Sequence, residues 1–148
     1  MKKLLVFNWK MNPTTEKQAL KLARFSDSKN FVIAPPFIFL EAVSHVIRRA
    51  KLCAQDLAWK DPERGAYTGE VSGKMLKDAD VEYVIVGHSE RRRFSKETDT
   101  IINKKVRIAL KKGFCVILCV GEPKRESGIK NQELKNAKNY IKKQLRKD

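Results

Sequence analysis

Asn8 and Lys10 stand two positions apart, immediately after the apolar run Leu4-Leu5-Val6-Phe7. Residues two apart on an extended chain point to the same side. A carboxamide and an ammonium are therefore predicted to share one face where a buried strand ends. An ammonium held there needs an anionic partner, because an unpaired buried charge is expensive; the plainer reading is a solvated lysine leaving a strand. A second candidate stretch, Gly87-His88-Ser89-Glu90-Arg91-Arg92-Arg93, follows the apolar run Tyr83–Val86. Gly87 permits a tight exit, and Ser89 is expected to cap a helical turn whose first acid is Glu90. His88 then lies beside a helix N-terminus, whose partial positive charge opposes a second positive charge on the imidazole. A neutral ring so placed can donate an N–H to a carbonyl oxygen; the competing reading is a histidine merely packed at a strand end. In Cys119-Val120-Gly121-Glu122, the glutamate has the chemistry of a base or of a loop tie. Cys119 reads as a small apolar filler before a reactive thiol.

Five short runs rich in β-branched residues must position these groups: Leu4–Phe7, Phe31–Ala34, Leu52–Ala54, Tyr83–Val86 and Phe114–Leu118. Each is apolar throughout and reads as a strand buried on both faces. Their starts lie 27, 21, 31 and 31 residues apart, the length of one strand–helix–strand step. Helical patterns fill the intervals: 15–25 with Thr14 or Thr15 as cap, 36–50, 99–112 ended by Gly113, and 131–147 with Leu134, Ala137, Ile141 and Leu145 in one stripe. A short helix at 73–77 follows a long polar loop, 60–71. His45 falls mid-helix as a surface or groove residue. Regular alternation predicts a parallel sheet covered by helices. Either a doubly wound five-strand sheet or five of the eight units of a (β/α)₈ barrel fits this order.

With 148 residues the chain is one domain, and 42% apolar against 33% charged residues excludes the disordered class. Seven Gly and five Pro exclude collagen-like or linker character. The longest apolar runs fall far short of a membrane span, and Asn8 and Lys10 interrupt any leader-like stretch after Met1-Lys2-Lys3. Three cysteines (Cys53, Cys115, Cys119) fit neither a disulfide framework nor a metal site, so a cytoplasmic protein is expected. No glycine-rich dinucleotide motif, P-loop or metal-ligand spacing occurs. The formal charge of +15 reads first as a lysine-rich solvated surface. Nucleic acid, an anionic small substrate or an acidic protein partner are the sharper alternatives.

Six stretches in order give the chain a resemblance to the triosephosphate isomerase family: Asn8-Trp9-Lys10-Met11-Asn12, Ala34-Pro35-Pro36, Ala54-Gln55-Asp56, Gly65-Ala66-Tyr67-Thr68-Gly69-Glu70, Gly87-His88-Ser89-Glu90-Arg91-Arg92 and Cys119-Val120-Gly121-Glu122. The resemblance implies an incomplete TIM (β/α)₈ barrel over residues 1–148, units 6–8 being absent. It also implies interconversion of dihydroxyacetone phosphate and glyceraldehyde 3-phosphate without a cofactor. Lys10 would stabilise the phosphate and the developing enediolate, and Asn8 would support that site. His88 would be the neutral electrophile that moves protons between the substrate oxygens. Ser89 and Glu90 would be near neighbours, Glu90 pairing with Lys10. Thr68, with Tyr67 and Met11, would face a neighbouring subunit.

The family's catalytic glutamate follows strand 6, and its phosphate-gripping loops follow strands 7 and 8. Neither falls within these residues. The expectation is therefore that activity requires assembly, with a complementary chain carrying strands 6–8 or with further copies of this chain. Strands 1 and 5 would otherwise present free apolar edges. The alternatives are an inactive self-associating scaffold that keeps anion affinity at Lys10, and a composite site between copies with Glu122 or Glu70 as base. Nucleic-acid binding is not expected, because the C-terminal helix interleaves only Tyr140 among its lysines.

Overall fold

A computed structural model of the protein describes residues 3–61, 63–121 and 132–146. Its strands are β1 (Leu5–Asn8), β2 (Phe31–Ala34), β3 (Lys51–Ala54), β4 (Tyr83–Val86) and β5 (Cys115–Leu118). The helices are α1 (Glu16–Phe25), α2 (Leu40–Ser44), α3 (Gly73–Asp78), α4 (Ser89–Phe94), α5 (Asp99–Lys111) and α6 (Gln132–Leu145). All neighbouring strands pair in parallel, in the order β1-β2-β3-β4-β5. That order decides between the two expected architectures. A doubly wound sheet reverses direction at a switch point, whereas here each strand adds beside the last, as in a barrel. The sheet is a curled half-barrel.

Alternation along the strands separates two cores. Ile33, Leu52, Ala54, Val84 and Val86 meet the helices, which bury Ala19 and Ala23 of α1, Val43 of α2, Leu76 of α3 and Ile102, Val106 and Ala109 of α5. The other face gathers Val32, Ala34, Cys53 and Ile85, joined by Tyr83, Ile117 and Cys119. β2, β3 and β4 are buried as expected for strands covered on both sides. β1 is not: Leu5, Val6 and Phe7 are 49%, 41% and 39% exposed, and β5 is only half-buried.

Local chemistry sets the helix boundaries. Thr15 Oγ1 accepts from the Gln18 amide to start α1, and Thr98 Oγ1 does the same for Ile101 of α5. Gly113, at φ +73°, ends the turn after α5 in the left-handed conformation that favours glycine. The helix expected over 36–50 is much shorter. A 3₁₀ turn at Phe37–Phe39 leads into α2, which stops at Ser44. Asp27 explains the early stop: its carboxylate accepts from the amides of Arg48, Arg49 and Ala50 at 2.9, 2.7 and 2.7 Å, satisfying donors that a continuing helix would have used. The apolar positions of that segment are buried all the same, Phe39, Leu40, Val43 and Ile47 among them. In α6, Gln144 turns inward beside the expected stripe, and its Oε1 accepts from the Gly121 amide at 2.9 Å. Leu145 is 54% exposed.

Candidate active site

The residues after β1 do not continue as a strand. Asn8 Oδ1 accepts from the Lys10 amide at 2.8 Å, and Lys10 adopts φ +57°. The predicted same-side pairing along an extended chain is thus replaced by a side-chain-closed turn, the local bond that Asn forms readily in place of a strand ladder. A lysine in the left-handed region costs about 1–2 kcal/mol, and several contacts hold it there. Gln55 Nε2 donates to the Lys10 carbonyl at 2.8 Å and to the Ala34 carbonyl at 2.9 Å. The Trp9 amide donates to Ala34 and the Asn12 amide to Trp9. Strain kept up by so many contacts marks a position whose geometry matters.

Lys10 Nζ lies 2.9 Å from Glu90 Oε1. Glu90 Oε2 lies 3.6 Å from His88 Nδ1, an ion pair only when that imidazole is protonated. The hydrogen bond from Lys10 holds the Glu90 carboxyl below its ordinary range, against the opposing effect of burial and with added attraction from the Lys10 charge. His88 itself is the N-cap of α4: its Nδ1 accepts from the Glu90 amide at 3.3 Å. The expected cap, Ser89, is instead the first helical residue and is exposed. A side chain whose Nδ1 lone pair is taken by an amide carries its proton on Nε2, so the free edge of the ring is a donor.

Arg92 fixes the backbone beneath His88. Its Nε donates to the Gly87 carbonyl at 2.8 Å, Nη1 pairs with Asp99 at 2.7 Å, and Nη2 reaches the Cys119 carbonyl at 3.3 Å. The ends of β4 and β5 and the start of α5 are thereby tied to one guanidinium. Next to it lies a buried ion cluster. Lys105 Nζ contacts both oxygens of Asp56, at 2.7 and 2.6 Å, and Glu97 Oε1 at 2.7 Å. Arg91 Nη2 closes the ring at 3.0 Å from Asp56 and 2.9 Å from Glu97. Burial pushes the Asp56 carboxyl up by more than Lys105 and Arg91 draw it back. Glu97, also pushed up by burial, is brought below its ordinary value by its bonds to Lys105 and Arg91.

Other predicted residues lie apart from this cluster. Met11 is 88% and Tyr67 40% exposed, and Thr68 is exposed beside Tyr67 in the loop whose base is closed by the Ala58 amide on the Val71 carbonyl. Glu122 lies outside the described residues. Burial pushes the Cys53 thiol up to about 12 and also raises Cys119, where Arg92 opposes it in part. Both thiols are thus held in the protonated, unreactive form.

The family profile for triosephosphate isomerase matches residues 3–148. The chain belongs to the triosephosphate isomerase family. Among curated relatives, the triosephosphate isomerase of Thermodesulfovibrio yellowstonii is 46% identical over 129 residues, which cover 82% of this chain and 52% of that protein. That of Acetivibrio thermocellus is 46% identical over 132 residues, covering 82% and 51%. That of Alkaliphilus oremlandii is 41% identical over 152 aligned positions, covering 97% and 58%. The chain spans about half the length of these triosephosphate isomerases.

Gln55, Arg91 and Arg92 lie in stretches that carry the family resemblance but had no role assigned to them from sequence, and Glu97 and Lys105 lie outside those stretches. One signal was available. Lys105 falls on the apolar stripe Ile102, Val106 and Ala109 of α5, where a charged residue must be paired if the stripe is buried.

Proposed function

We propose that this chain supplies the lysine and histidine half of a site that interconverts dihydroxyacetone phosphate and glyceraldehyde 3-phosphate. The observation that carries the reading is that Glu90 meets both residues, its carboxylate in the 2.9 Å ion pair with Lys10 and its amide in the hydrogen bond to His88 Nδ1. In this reading the substrate carbonyl accepts from His88 Nε2. As a proton leaves carbon, negative charge develops on that oxygen, where an oriented N–H donor and the Lys10 ammonium stabilise it more than they stabilise the neutral carbonyl. The same imidazole then passes its proton between the two oxygens. Asn8 fixes the Lys10 backbone, and Glu90 holds the lysine within reach while leaving it hydrogen atoms for a phosphate oxygen.

The reaction also needs a carboxylate base at carbon and donors for the phosphate. Among the described residues, Glu90 is already engaged by Lys10. Further polypeptide carrying the remaining βα units supplies both in this proposal, in keeping with the half-length match.

The test is to co-produce the chain with the second half of the T. yellowstonii relative and follow turnover of both triose phosphates. Wild-type chain should give activity, and His88→Gln should lower kcat by about 100-fold or more. An assembled His88→Gln complex as active as wild type would overturn the assignment.

A further inference from the structure

Helix α4 is capped by His88, yet each of its six residues is half-buried or exposed. A helix this short does not persist alone, and short helices are ordinarily held by an apolar face. Two guanidiniums hold this one instead. Arg91 reaches the buried cluster at Asp56 and Glu97. Arg92 bends back over the start of its own helix, its Nε donating to the Gly87 carbonyl at 2.8 Å. The Gly87 carbonyl and the His88 amide nitrogen belong to one planar peptide unit. A bond on that carbonyl therefore fixes the backbone that bears the imidazole.

We infer that Arg92 is a positioning residue that selects the tautomer of His88; its bearing on catalysis rests on the reading of His88 Nε2 as the donor to substrate. The ring has two choices. With Nδ1 accepting from the Glu90 amide at 3.3 Å, the proton sits on Nε2. Glu90 Oε2, 3.6 Å from the same nitrogen, is a ready acceptor for a proton on Nδ1 instead. That second form would turn a lone pair, and not an N–H, toward a substrate carbonyl. At 3.3 Å the amide bond is longer than the usual protein hydrogen bond, so a small rotation of the Gly87–His88 peptide decides between the two. The planar fork of arginine suits this task. Asp99, 2.7 Å from Nη1, and the Cys119 carbonyl, 3.3 Å from Nη2, fix the guanidinium plane against α5 and β5 and leave Nε aimed at Gly87. A lysine ammonium could pair with Asp99 or with a carbonyl but offers no plane to hold.

The experiment uses the full chain labelled with nitrogen-15, at about pH 8, where an ordinary imidazole is neutral. Long-range proton–nitrogen spectra of the wild type should show His88 protonated on Nε2 and bare on Nδ1, with exposed His45 as reference. The Arg92 Nε–H should exchange with solvent at least about tenfold more slowly than that of exposed Arg93. Arg92→Lys should keep the far-ultraviolet circular dichroism while the two His88 nitrogen signals draw together, as the Nδ1–H form gains population. Asp99→Ala should move them in the same direction. In the complex with the second half of the T. yellowstonii relative, Arg92→Lys should lower kcat at least about tenfold and leave KM within about twofold, because the Lys10–Glu90 pair is untouched.

A folded Arg92→Lys chain with wild-type ring signals would overturn the inference. Should that variant not fold, unchanged ring signals in Asp99→Ala, or a wild-type Arg92 Nε–H that exchanges as fast as that of Arg93, would overturn it. Turnover that is lost in His88→Gln and kept in Arg92→Lys would sink the positioning role and leave the isomerase reading intact. The expected ring shift in the chain, with no turnover in the complex, would sink the isomerase reading alone. A wild-type ring protonated on Nδ1 would overturn both.

Discussion

Lys105→Met removes one ammonium from the buried cluster and keeps the length of the side chain. Three contacts of 2.6–2.7 Å vanish, and the Asp56 and Glu97 side chains, only 8% and 5% exposed, are left with Arg91 as their shared cation. Taking one partner out of a buried ionic group costs about 3–5 kcal/mol, because the charge left behind has lost its water and its neighbour. Against a total stability of about 5–15 kcal/mol, that loss removes a large share of the folded population. Denaturant unfolding followed by the fluorescence of Trp9, which is buried, measures it.

The pH dependence makes the prediction sharper. In the wild-type chain the folded Glu97 carboxyl lies below its ordinary value of 4.5, so its stabilisation is present above that value and fades as pH falls through the folded one. In Lys105→Met burial acts with only Arg91 to oppose it, and both folded carboxyl values rise. Such groups stabilise below their unfolded values and lose that contribution as pH rises through the folded ones. The deficit of the variant should therefore be greatest at neutral pH and shrink on acidification. Adding Asp56→Asn to Lys105→Met should recover about 1 kcal/mol or more by deleting the stranded charge. A variant within about 1 kcal/mol of wild type at neutral pH, or a deficit that widens in acid, would refute the reasoning.

Gly87→Ala should cost about 1–3 kcal/mol in the same unfolding assay. At φ +73° a Cβ would stand 3.1 Å from Arg92 Nη2 and 3.2 Å from both the Cys119 carbonyl oxygen and Ile102 Cγ2; in the assembled enzyme kcat should fall with it, since His88 is the next residue. Asp27→Ala should lower stability by about 2–3 kcal/mol by orphaning three amides, seen as a shift in denaturation midpoint. Burial is the largest single influence and raises the Asp27 carboxyl, but the amides of Ala50, Arg49 and Arg48 together bring it below 3.8. The wild-type advantage over Asp27→Ala should thus persist above that value and disappear as pH falls through the lower, folded one. Glu90→Gln should leave the fold intact and loosen Lys10, raising KM for triose phosphates in the assembled enzyme more than it lowers kcat.

The strands were readable because each is a compact apolar run at a regular interval, and Tyr83–Val86 and Phe31–Ala34 are strands within the limits expected. The choice between a doubly wound sheet and a barrel was not readable from periodicity, since both alternate strand and helix. Only the unreversed strand order resolves it. The overlong helix at 36–50 fails for a non-local reason: its last amides are taken by Asp27, more than twenty residues earlier, and no pattern inside the segment announces that competition. His88, Lys10 and Glu90 come together because the residues that follow β1 and β4 lie at the same end of a parallel sheet. Arg92 looks like an ordinary helix-surface cation until the neighbouring loops are in place around it, whereas Lys105 stands out only by its place on the apolar stripe of α5. Asn8 and Lys10 do meet, but through a side-chain-to-amide bond that ends the strand and not on one face of an extended chain as strand alternation predicts.

The unreversed strand order also bears on how the molecule forms. Leu5 pairs with Phe31, Val32 with Lys51, Cys53 with Tyr83 and Tyr83 with Cys115, so partners are between 19 and 32 residues apart. Every ladder closes a loop of similar, modest length, and the entropic cost of closure grows only slowly with length. Such a topology can be laid down strand by strand as the polypeptide leaves the ribosome, each new unit nucleating on the previous one.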